Sequence, residues 1–66
     1  MKIRDLEAKL RAAGFIESRR RGKGSHRKWF HPKLGRPLLL SGRPSDEAKP
    51  YQVTQVDNAI MIVEGS

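Results

Sequence analysis

The chain contains no cysteine. Disulfide staples and thiolate metal ligands are excluded together, so a small fold must be held by packing or by a partner, and a reducing cytoplasm is the expected setting. Long apolar runs are missing as well. Nothing approaches the roughly 18 consecutive apolar residues of a membrane-spanning helix, and the charged N-terminus lacks the hydrophobic stretch of a secretion signal. A soluble cytoplasmic protein is expected, with no membrane contact. At 66 residues the sequence encodes one small domain, residues 1–66, with a thin core and no room for a separate cofactor-binding domain.

Acids are scarce where bases are dense. Between Arg19 and Arg43 there are nine Lys or Arg side chains and no Asp or Glu. Residues 46–66 reverse the balance, with Asp46, Glu47, Asp57 and Glu64 against Lys49 alone. The net charge of +7 therefore belongs to the middle of the chain. A surface built for solubility mixes both signs, whereas a one-sign segment is the footprint of a polyanion partner. The few carboxylates are scattered, and the adjacent pair Asp46-Glu47 reads as a solvated loop capping a following helix, so no metal site is expected. A P-loop is also missing. Arg21-Gly22-Lys23-Gly24 is too short for one and reads as a hairpin turn, which leaves no signature for a nucleotide or other cofactor.

Apolar spacing supplies the architecture. Ile3, Leu6, Leu10 and Ala13 recur at helical period, with Lys2, Arg4, Glu7 and Arg11 on the other faces and Gly14 placed to end a helix over residues 2–13. Phe15 to Arg20 and Ser25 to His31 read as strands joined by the Arg21–Gly24 turn. Pro32 and Gly35 mark a second turn, and Pro37 to Ser41 forms a third strand. Pro50 suits the first position of a second helix, where its missing N–H costs nothing, and Val53, Val56, Ile60 and Val63 repeat at helical spacing behind it. The expectation is an α+β domain of order α-β-β-β-α, two layers deep: a three-stranded antiparallel meander with both helices on one face. Trp29 and Phe30 must alternate, one under the helices and one outward, where a ring can stack on a nucleic-acid base.

Gly24-Ser25-His26-Arg27 places a histidine beside a glycine turn inside the basic stretch. Histidine both takes and gives a proton near neutral pH, and its cationic surround draws polyanions to it. Metal-free RNA cleavage needs a base for the ribose 2′-hydroxyl, cations for the dianionic phosphorane, and an acid for the leaving 5′-oxygen. His26 with Lys23, Arg27 and Lys28 meets the first two needs. Which proton His26 transfers stays open. Arg19, Arg20 and Arg21 extend the cationic surface. Ser25 has two readings, orienting a phosphate or satisfying the turn. His31, before Pro32, is a turn residue and the second candidate acid. A non-catalytic RNA-binding module is the alternative class, and a small ribosomal protein would explain the charge but not the histidine's context.

The helix ending in Ala13-Gly14-Phe15, the basic run, Gly24-Ser25-His26 opening the second strand, and the α-β-β-β-α order together resemble the HicA family of toxin–antitoxin ribonucleases. The likeness covers nearly the whole chain and is specific from Leu10 to His31. It implies a fold like that of double-stranded-RNA-binding domains, endoribonuclease activity on messenger RNA that stops translation, and neutralisation by a HicB-like antitoxin. It also implies that His26 is the catalytic residue. Many members carry a second histidine directly after it, where this chain has Arg27, and the segment from Ser41 to Gln52 resembles one subgroup.

Overall fold

The computed structural model describes residues 1–18 and 27–65. Its elements run α1 (Ile3–Ala12), β1 (Ile16–Ser18), β2 (Arg27–Phe30), β3 (Leu38–Leu40) and α2 (Pro50–Glu64), the expected order with somewhat shorter strands. The sheet is an antiparallel meander, β1-β2-β3, in which Ile16 faces Phe30, Glu17 faces Trp29, Trp29 faces Leu38 and Arg27 faces Leu40. The expected turn Arg21–Gly24 lies outside the described residues.

Helix α1 begins where Asp5 reaches back to accept the Lys2 backbone N–H at 2.7 Å. The loop after β3 serves the first turn too, because the Ile3 and Arg4 N–H groups donate to the Asp46 and Pro44 carbonyls at 2.9 and 3.0 Å. These donors have no intrahelical partner, so the loop does the work of a cap. The helix ends at Gly14, whose φ of 93° is open to glycine and costly for other residues. The Gly14 N–H returns to the Arg11 carbonyl and the Phe15 N–H to the Leu10 carbonyl, both at 3.0 Å. This is the paired C-terminal motif in which residues flanking the glycine pack together, and Leu10 and Phe15 are both in the core.

Two features of the helices depart from simple periodicity. Glu7, expected on a solvated face, lies in the buried stripe of α1 with Ile3, Leu6 and Leu10. In α2 the buried stripe is Gln52, Val56, Ala59 and Val63, with Val53 and Ile60 at its flanks. Gln52 tolerates burial because its polar atoms are served: its Oε1 accepts the Lys49 N–H, and its Nε2 donates to the Ser41 carbonyl, each at 2.9 Å. That side chain both caps α2 and fastens it to the end of β3. The capping expected of Asp46-Glu47 is not what they do. Asp46 accepts the Arg43 N–H at 2.9 Å, while Glu47 pairs with the Met1 ammonium and Lys2. The ammonium's hydrogen bond holds the Glu47 carboxyl below its ordinary range.

Both helices cover one face of the sheet. Ile3, Leu6 and Leu10 of α1 meet Phe15, Trp29, Leu38 and Leu40 below and Val56, Ala59 and Val63 of α2 alongside. Trp29 is fully buried at the centre, and its indole N–H finds no acceptor among the described residues. Such an orphaned donor costs about 1–3 kcal/mol, offset here by the large apolar area of the ring. The Arg11 guanidinium lies 5.1 Å from the ring centroid and adds a cation–π contact. Phe30, the next residue, points the other way and is exposed, as strand alternation requires. No helix among the described residues is long and apolar enough to cross a membrane.

Candidate nucleic-acid interface

Strand β2 carries the two described members of the candidate cationic set, and it sends them to opposite faces. Lys28 shares its face with Phe30, Ile16 and Leu39, away from the helices. Arg27 shares the helix side with Trp29 and reaches α1, where its Nη1 donates to Glu7 Oε2. Its Nε lies 3.5 Å from Glu17 Oε2, and Glu17 also accepts from Arg11 Nη2 at 3.3 Å. Glu7 is 4% exposed and Arg27 32%. The first residue after the Gly-Ser-His segment is thus tied by its side chain into α1. His26, Arg19, Arg20, Arg21, Lys23 and Ser25 lie outside the described residues.

An ion pair with one partner almost wholly buried stabilises little as a pair but is costly to break, because the survivor keeps its desolvation penalty. Arg27→Met should therefore destabilise the domain by about 3 kcal/mol, the lower end of the buried range since Arg27 is partly exposed. The double substitution Glu7→Met with Arg27→Met should restore most of that loss. Urea unfolding of the two variants checks this, and a single variant as stable as the wild type would show that Glu7 does not need its partner. Loss of activity in an Arg27 variant must accordingly be corrected for loss of fold before any RNA contact is assigned to it.

The second histidine has a structural setting. His31 Nδ1 accepts the Lys33 backbone N–H at 3.0 Å, and the His31 carbonyl accepts the Leu34 N–H at 3.0 Å, closing the β2–β3 turn. Its ring lies 5.0 Å from that of Phe15, tilted by 56°. The sequence left Glu7 and Glu17 without a role. A signal was present for Glu7, since it falls between Leu6 and Leu10 in the three-and-four spacing that sets a buried stripe. Glu17 had no comparable signal, since its inward position follows from its pairing with Trp29 in the sheet.

Among the described residues no group of three His, Cys, Asp or Glu is arranged to hold a metal ion. A groove of about 230 Å³ between β3 and α2, lined by Leu34, Arg36, Leu38, Gln55, Asn58 and Ile62, is smaller than a usual small-molecule site. What the described surface offers is one open sheet face, with a cation and a ring side by side. A family model described as the HicA toxin of bacterial toxin–antitoxin systems matches residues 3–60. No curated protein and no solved structure matches the chain.

Proposed function

The chain belongs to the HicA toxin family of bacterial toxin–antitoxin systems, and from that premise we propose that it is a metal-independent endoribonuclease that cleaves messenger RNA and stops translation. The family match carries the reading, because its span, residues 3–60, includes the basic stretch and the Gly24-Ser25-His26 segment. His26 is the proposed proton-transfer residue. As a base it removes the 2′-hydroxyl proton, the 2′-oxygen attacks the adjacent phosphorus, and the P–O5′ bond breaks as a proton reaches the leaving oxygen. Arg19, Arg20, Arg21, Lys23 and Lys28 supply the cations that hold the phosphate and stabilise its added charge, and Ser25 hydrogen-bonds a phosphate oxygen. Arg27, which follows His26 in sequence, serves by holding the start of β2 to α1 through Glu7. Carboxylates scattered along the sequence suit no oxygen-rich divalent site, which favours chemistry by side chains alone.

The proposed partner is a HicB-like antitoxin with an acidic contact face, which neutralises the toxin by covering the histidine and its cations. Opposite charge steers such a pair together quickly at low salt. RNA binding by this surface has a measurable signature. Affinity should fall with salt at a slope of about −0.7 per phosphate neutralised on a single strand. Replacing Arg19, Arg20 and Arg21 by Ala should flatten that slope and weaken all sequences alike. Fluorescence anisotropy with labelled RNA across a salt series measures both. Affinity that ignores salt, or a triple variant that keeps the wild-type slope, would count against the proposed surface.

A further inference from the structure

Among the described residues nothing covers one face of the sheet formed by β1, β2 and β3, and that face carries an apolar strip. Ile16 is 69% exposed, Leu39 51% and Phe30 43%. Ile16 and Phe30 are cross-strand partners, and Lys28 sits opposite Leu39 two residues before Phe30 on the same strand. The helix-side positions of the same strands are Glu17, Arg27, Trp29, Leu38 and Leu40, so Glu17, the one acid among the described strand residues, is turned inward and held by Arg11 and Arg27. The open face therefore presents a ring, two aliphatic neighbours, a hydroxyl from Ser18 and a cation, without a carboxylate among its described residues.

We propose that this face is a stacking platform for unpaired RNA, on which the Phe30 ring packs against one base while Lys28 takes the adjoining phosphate. The proposal rests on the reading that the chain acts on RNA, and it adds which form of RNA the surface selects. Every base has a π-face, so a ring in a cationic surround binds single strands without needing a particular sequence. A duplex cannot use it, because its bases are already stacked on one another and its outer surface is phosphate and sugar. Lys28 and Phe30 are two positions apart on the strand, about 7 Å, which matches the reach from a base to a phosphate of the same or the next nucleotide.

A protein occupant fits the face less well. A stable interface needs about 20 residues a side with a depleted charge at its centre, whereas here three apolar side chains are interrupted by a lysine. A base needs one ring and a nearby cation. Ile16 and Leu39 then flank the stacked base and exclude water from its edges.

The test compares a labelled single-stranded oligonucleotide with a duplex of the same sequence, using wild-type protein, Phe30→Ala, Phe30→Leu and Phe30→Tyr, each checked for fold by circular dichroism. Stacking contributes roughly 1–3 kcal/mol per base, so Phe30→Ala should weaken single-strand binding by about 5- to 150-fold and leave duplex binding within about twofold. Phe30→Tyr keeps the π-face and should stay within about threefold of wild type. Phe30→Leu keeps apolar area without a ring and should behave like Phe30→Ala, which preserves the test if the alanine variant unfolds. Equal losses on single strand and duplex, or full affinity in Phe30→Leu, would overturn the platform. So would Phe30 variants that keep RNA affinity but lose affinity for the antitoxin or for a second copy of the chain, since a protein would then be the occupant. If the wild-type protein binds no RNA at all, the RNA reading falls with the proposal. If it binds RNA and Phe30 is indifferent, the platform alone falls.

Discussion

His26→Ala is expected to lower the rate of RNA cleavage by at least about 100-fold, the smaller end of what a positioned proton-transfer group contributes, and to abolish growth arrest on induction. The mechanism requires a group that exchanges a proton near neutral pH within reach of the scissile phosphate, and among the 66 residues two are histidine. The second is occupied in the fold. His31 packs on Phe15 and accepts the Lys33 N–H, so His31→Ala should lower thermal stability while retaining most of the cleavage rate. The two variants thus separate chemistry from structure. Transcript integrity after induction, together with a circular dichroism spectrum of each purified variant, reads both. A folded His26→Ala protein that cleaves at the wild-type rate would remove His26 from the mechanism and favour a domain that binds RNA without cutting it.

Trp29→Ala should leave the domain largely unfolded. Trp29 is fully buried among Leu6, Leu10, Leu38, Leu40 and Val56, and truncating such a ring costs roughly 3–5 kcal/mol from lost burial and the cavity left behind. A domain of this size has a total stability of only about 3–10 kcal/mol at the usual value per residue. The melting midpoint should fall by more than about 12 °C, or the cooperative transition should vanish. Trp29→Phe gives up the indole's second ring but also removes its unpaired N–H, so its loss should be clearly smaller. A melt of the alanine variant within a few degrees of wild type would contradict the placement of Trp29 at the centre of the core.

Element order was legible because each signal was local: Gly14 ended the first helix, Pro50 opened the second, and alternation required Trp29 and Phe30 to part. Alternation could not say which of the two turned inward, because that depends on strand register against the helices rather than on either residue. Helix faces were harder to read. The charge of Glu7 predicts an outward side chain, although its position lies in the apolar stripe, and among the described residues its carboxylate is accommodated by Arg27, 20 residues away in sequence. A long-range partner of that kind leaves no periodic trace. Gln52 was hidden for the same reason, since its burial depends on the Ser41 carbonyl. The candidate site was legible as composition, a basic stretch around a histidine. The sequence groups Arg27 and Lys28 with His26, whereas strand alternation sends the two cations to opposite faces, and the commitment of Arg27 to Glu7 and Glu17 is a long-range pairing with no local signal.

The most direct test of the central claim is the chemistry of the cut ends. Purified protein is incubated with a single-stranded RNA in EDTA, and the products are identified by mass spectrometry. Attack by the 2′-hydroxyl with proton transfer by a side chain predicts fragments ending in a 2′,3′-cyclic phosphate and a 5′-hydroxyl, formed at the same rate with and without the chelator. Cleavage that stops on chelation and returns with Mg²⁺, or products bearing a 3′-hydroxyl and a 5′-phosphate, would contradict the account.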